Sequence, residues 1–203
     1  MSMVERLAFS LREEGRGVHA LLWDDIVDLY RVLLIIQAVL GDLPLQPFLV
    51  SSEKPRLDEL KDLIQTELGN QISRGRMDGD AVDPDPSPHP LWILFLQQAA
   101  STQVGPRLNG WRRPLSDPRG TLLVIRNADF IDFQRNAPDL ASFIGPRIYD
   151  AARMLMICSE QTLRAMKKSL PAFFDSILKH LPGTQPTTEE LAEWTPYSYS
   201  DED

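Results

Sequence analysis

Gly120-Thr121-Leu122-Leu123-Val124-Ile125, followed by Arg126-Asn127, is the stretch on which the fold turns. It is short, continuously apolar after Thr121, and entered from a glycine. A strand with one face in water alternates apolar and polar side chains. An unbroken apolar run is instead the pattern of a strand covered on both faces, as in a parallel sheet flanked by helices. The residues therefore predict an α/β fold, a parallel sheet of four or five strands with Leu122–Ile125 at its centre.

Similar signals recur on either side. Upstream, Val18-His19-Ala20-Leu21-Leu22-Trp23 follows Gly15-Arg16-Gly17 and fits a buried strand. Asp24 or Asp25 can cap a helix running through Leu29, Val32, Leu33, Ile36 and Leu40, until Gly41 and Pro44 stop it. Residues 47–52 (PFLVSS) suggest a second strand, and Leu57, Leu60, Ile64, Leu68 and Ile72 form a helical stripe after Pro55. Before all of these, residues 1–14 read as an amphipathic helix with Leu7, Phe9 and Leu11. Leu91 to Ala100 reads as a mostly buried helix. Downstream, a helix is expected through Leu140, Phe143, Ile144 and Ile148, and a further buried strand over Met154-Leu155-Met156-Ile157-Cys158. A helix over 162–181, interrupted at Pro171, and a capping box, Thr187-Thr188-Glu189-Glu190, complete the series.

Two segments interrupt the pattern. Residues 75–90 (GRMDGDAVDPDPSPHP) hold four prolines, four aspartates and two glycines, too little apolar surface to offset ordering, and read as a mobile loop. Residues 105–120 read as a second irregular loop, a basic one, with Arg107, Arg112, Arg113 and Arg119 around Trp111. The expected organisation is one α/β domain over 1–196 and a disordered acidic tail over 197–203.

Composition narrows the function classes. The 203 residues carry a net charge of −8, which argues against broad contact with nucleic acid and favours a partner with a basic face. The longest apolar runs, 32–36 (extended to 40 after Gln37) and 91–96, fall short of the roughly 20 residues that span a bilayer. With no signal-peptide pattern at the N-terminus, the expected location is the cytoplasm, with no membrane partner. The single cysteine, Cys158, lies in an apolar run and reads as an inert core thiol.

The arrangement of strand, helix, strand, helix, long insertion, strand, helix, strand resembles the core of P-loop nucleotidases of the AAA/STAND type. In that family the Walker B strand is four apolar residues followed by Asp-Glu, often continuing Ala-Asp. Leu122–Ile125 followed by Arg126-Asn127-Ala128-Asp129 is similar, standing third in that arrangement. Met154 to Ser159 is similar to the next strand, which ends in a polar sensor residue. The stretch Ser169-Leu170-Pro171-Ala172-Phe173-Phe174 resembles the segment after the sensor strand.

The departures from the family decide the functional expectation. A P-loop needs glycines to cradle phosphates, a Lys for the β and γ phosphates and a hydroxyl for Mg²⁺. The turn after the first strand is Trp23-Asp24-Asp25, without glycine and with two carboxylates that would repel a triphosphate. The first lysine in the chain is Lys54, and no Gly-Lys-Ser/Thr occurs. Arg126 stands where the Mg²⁺-binding Asp belongs and Asn127 where the Glu base belongs. The resemblance thus implies a pseudo-enzyme, with no catalytic residue and no cofactor.

Other chemistries find no support in the sequence. His19, His89 and His180 lack ligand spacing and a cysteine to join them. Asp78, Asp80, Asp83 and Asp85 lack the closing Glu of a calcium loop. No Gly-x-Ser-x-Gly elbow is present. The basic loop, Arg107 to Arg119 with Trp111, carries residue types that anchor interfaces.

The function expected is therefore a non-catalytic protein-protein interaction module or regulatory subunit on a degenerate nucleotidase-like fold, in a larger complex of bacterial type. Two alternatives stand beside it. One is a nucleotide-binding protein whose phosphate site uses arginines, Arg126 among them. The other is an acidic inhibitor of a basic enzyme.

Overall fold

The computed structural model describes residues 3–11, 17–41, 45–50, 59, 62, 66, 91–96, 100–111, 115, 120–156, 187, 190 and 191. Five parallel strands form one sheet: β1 (Val18–Trp23), β2 (Leu45–Val50), β3 (Leu91–Leu96), β4 (Thr121–Arg126) and β5 (Ile148–Asp150), in the order β2-β3-β4-β1-β5. β4 lies third in that order and is buried from Thr121 to Ile125, as its unbroken apolar run requires.

Successive side chains on each strand point to opposite faces, and each face carries its own core. Leu21, Ile93, Phe95, Leu122 and Val124 meet one layer of helices: α1 (Met3–Phe9), α2 (Ile26–Leu40) and α6 (Ala151–Leu155). Ala20, Leu22, Leu94, Leu96, Leu123 and Ile125 meet the other: α3 (Ala100–Asn109), α4 (Asn127–Asn136) and α5 (Pro138–Ile144).

Local chemistry sets the element ends. Asp25 caps α2, its Oδ1 accepting from the backbone N–H of Val27 at 2.6 Å, and Gly41 ends that helix in the left-handed region at φ 62°. Asp150 caps α6 by accepting from the N–H of Arg153 at 2.9 Å. α3 is pinned to α5, because Asn109 accepts from the N–H of Leu140 at 2.9 Å and donates to Asp139 at 3.1 Å. A Cβ on Gly105 would lie 2.9 Å from the Cβ of Asn136, so α3 approaches the end of α4 more closely than any larger residue allows. The capping box forms as expected: Thr187 donates its N–H to Glu190 Oε2 at 2.7 Å, and Glu190 N–H donates to Thr187 Oγ1 at 3.2 Å. Both outer strands are limited: β2 contains Pro47, and β5 has three residues.

Four expectations need correction. Leu91–Leu96 is not a helix but the fully buried strand β3, paired with β2 and β4. A strand covered on both faces carries no alternation, and the run is too short to show helical period. Met154 and Leu155 belong not to a strand but to α6, which Asp150 starts. The helix expected to run through Ile148 ends earlier: α5 holds Leu140, Phe143 and Ile144 but stops at Gly145, in the left-handed region at φ 54°, and Ile148 opens β5. The loop expected over 105–120 begins as the last turns of α3, and Trp111 is half-buried against the second core. In the N-terminal helix Val4, Leu7, Ala8 and Leu11 face inward while Phe9 is exposed.

The apolar stripe over 57–72, the loop 75–90, Cys158, the helix over 162–181 and the tail 197–203 lie outside the described residues. Glu59, Asp62 and Thr66, which lie between positions of that stripe, are helical and exposed.

Candidate functional site: a carboxylate-lined crevice at the strand ends

Ligands of open α/β sheets bind outside the carboxyl ends of the strands, at the point where the connections diverge. Here that point falls between β1 and β4, hydrogen-bonded neighbours in register Trp23↔Arg126. The helix after β1, α2, packs on one face, and the helix after β4, α4, packs on the other through Phe133. Whatever stands after Trp23 and Arg126 therefore lines the natural crevice.

The residues there are mostly acids. Asp24 and Asp25 follow β1, Asp28 lies in the first turn of α2, and Asp150 ends β5. Asn127 reaches across them, its Nδ2 donating to Asp24 Oδ2 at 2.8 Å and to Asp150 Oδ2 at 3.2 Å. Arg126 is exposed, and its guanidinium carbon lies over the Trp23 ring, 5.4 Å from the centroid. Beside this cluster, Asp25, Val27, Asp28, Arg31 and Glu190 line a pocket of about 420 Å³. Pockets that enclose small ligands are lined mainly by apolar side chains with a few polar groups. In this one Val27 is the single apolar residue among the described lining.

The electrostatics agree with that inventory. Burial pushes the Asp28 carboxyl above the ordinary carboxylate range, Asp25 adds to the rise, and Arg31, 3.5 Å away, counters it. Arg31 also donates through Nη2 to the backbone oxygen of Glu190 at 2.8 Å, tying α2 to the capping-box turn. On the far side of β4, burial raises the pKa of Asp129, against the lowering effect of Arg126.

The structure thus brings two of the residues singled out in the sequence, Arg126 and Asn127, to the crevice together with Asp24. Asp129 lies in the first turn of α4. Arg107 is exposed in the last turn of α3 and Trp111 packs inward, while Arg112, Arg113 and Arg119 lie outside the described residues. His19 is buried in β1 and stacks on Tyr149, with ring centroids 6.1 Å apart. Among the described residues no group of three or more His, Cys, Asp or Glu is placed to hold a metal ion, and no helix is long and apolar enough to cross a membrane. Asp150 does not stand out in the sequence. The signal that could have found it is the cap pattern Asp150-Ala151-Ala152-Arg153 directly after a short apolar run.

Fold and site together define an all-parallel α/β sheet protein whose divergence crevice is lined by its own carboxylates and an amide. No family model and no curated protein matches the chain. Among solved structures it is similar to domain 2 of the DEAD-box helicase Mss116p bound to an RNA duplex, at 14% identity and a TM-score of 0.26, covering 87% of this chain and 72% of that one.

Proposed function

We propose that the chain is a non-catalytic protein-binding module built on a degenerate nucleotidase-like sheet. The observation that carries this reading is the carboxylate set Asp24, Asp25, Asp28 and Asp150 at the crevice. A nucleotide site places backbone N–H groups and a lysine at that position. Here the N–H groups at the start of α2 are already taken by Asp25, and neighbouring acids would repel a phosphate chain.

With Leu91–Leu96 a strand, β4 moves one place along the nucleotidase-like layout. Leu91–Leu96 becomes the third strand, the place of Walker B, and Gln97-Gln98 follow it where acids would stand. Arg126-Asn127 then end the fourth strand, the place of the polar sensor residue, and Asn127 is such a residue. Either alignment leaves the phosphate chemistry without its carboxylates. The acid at the crevice and the net charge of −8 favour a partner with a basic face.

The alternative, an arginine-based nucleotide site, draws on exposed Arg126 at the crevice mouth. Isothermal titration of the full chain with ATP and with GTP, each with Mg²⁺, separates the two. The module reading expects no saturable heat, and low-micromolar binding of either nucleotide overturns it. Arg126→Ala would then show whether that arginine holds the phosphates.

A further inference from the structure

We propose that Asn127 is a latch, a neutral amide holding together the carboxyl ends of β4, β1 and β5, which their own carboxylates would otherwise drive apart. This inference stands apart from the reading of the chain as a binding module, and its test needs no ligand.

The geometry is specific to an amide. Nδ2 of Asn127 donates to Asp24 Oδ2 and Asp150 Oδ2, each from a different neighbouring element, without adding charge. β5 is the strand that most needs such help. Among the described strands it is an outer one of three residues and pairs with β1 alone, Ala20↔Ile148 to Leu22↔Asp150. Asp150 also starts α6, so displacing it would loosen the helix that delivers Met154 and Leu155 to the core.

The charges around the latch leave little slack. From β1 and α2 come Asp24, Asp25 and Asp28, with Arg31 against Asp28. From β5 and α6 come Asp150 and exposed Arg153, and from β4 and α4 come Arg126, Asp129 and Asp132, Arg126 lying over Trp23. Glu190 joins the wall of the adjoining pocket. A third carboxylate at position 127 would offer no donor at neutral pH and would face two like charges. Alanine would lose the donors but add no charge.

Hydrogen exchange read by mass spectrometry on the full chain tests this ordering. Asn127→Ala is expected to speed exchange over residues 148–155 by about tenfold, the scale of one charge-assisted hydrogen bond at a partly exposed site. Asn127→Asp should speed it further, and Thr121–Ile125 should stay protected in both. The gap between the two variants should close in acid, once the cluster's carboxylates no longer carry charge. Combining Asp24→Asn with Asn127→Asp returns an amide to the cluster and should recover most of the protection. Wild-type exchange over 148–155 in Asn127→Ala overturns the proposal. A gap independent of pH, or no recovery in the double variant, overturns its electrostatic basis. If Asn127→Asp fails to fold, the Asn127→Ala exchange map decides alone.

Discussion

The backbone of β4 and the residue after it pass through two environments within seven residues. From Thr121 to Ile125 no side chain is more than 1% exposed, and the neighbours are apolar on both faces. At Arg126 and Asn127 the same backbone emerges among carboxylates, and individual hydrogen bonds and ring contacts fix each side chain. The interior is specified by volume and apolarity, which many residues supply interchangeably. The strand end is specified by pairing, where one atom's change from donor to acceptor alters the balance. The interior should thus dominate stability, and the end should control local order and recognition.

The most severe test of that contrast is to hollow the interior. Leu123→Ala removes a fully buried side chain from the second core and should cost about 2–5 kcal/mol in urea unfolding. A loss under about 1 kcal/mol would mean that the sheet centre is looser than its burial indicates. At the strand ends, Asp25→Ala removes the cap of α2 and should cost about 1 kcal/mol, whereas Asp25→Asn keeps an acceptor, removes a charge from the crevice and should cost nothing measurable.

The weakest effect depends on pH. Because the folded-state pKa of Asp28 is raised, chiefly by burial and then by Asp25, this group favours the folded state while protonated. That contribution fades as pH rises through its folded pKa, so at pH 7 its charge opposes folding. Asp28→Asn should therefore gain a few tenths of a kcal/mol at pH 7, after allowing for the lost contact with Arg31. The gain should vanish below about pH 4, where both side chains are neutral. Urea midpoints across that range check the sign, and an equal or lower midpoint at pH 7 would reverse it.

The same contrast explains how much of the molecule is legible in the sequence. β1 and β4 are readable because each is an apolar run entered from glycine, a pattern that local residues set by themselves. β3 reads as helix, since six buried residues look alike in either geometry. The β-forming Trp92, Ile93 and Phe95 are the available clue against it. β5 has three residues, below the length at which periodicity means anything, and the longer apolar run at 154–158 draws attention away from it. At the crevice, Asp24 and Asp25 are legible as a turn hostile to phosphate. The bridge from Asn127 to Asp24 spans 103 positions, and no local pattern announces it.

The outer strands also govern how the molecule behaves in bulk. A sheet whose margin offers an unbroken row of donors and acceptors invites another chain to extend it, which is how soluble sheets begin to form fibres. Here one margin, β2, is interrupted by Pro47, which has no N–H to offer, and the other, β5, ends after three residues. Among the described residues, neither margin gives a foreign strand the length of unbroken ladder it needs to register.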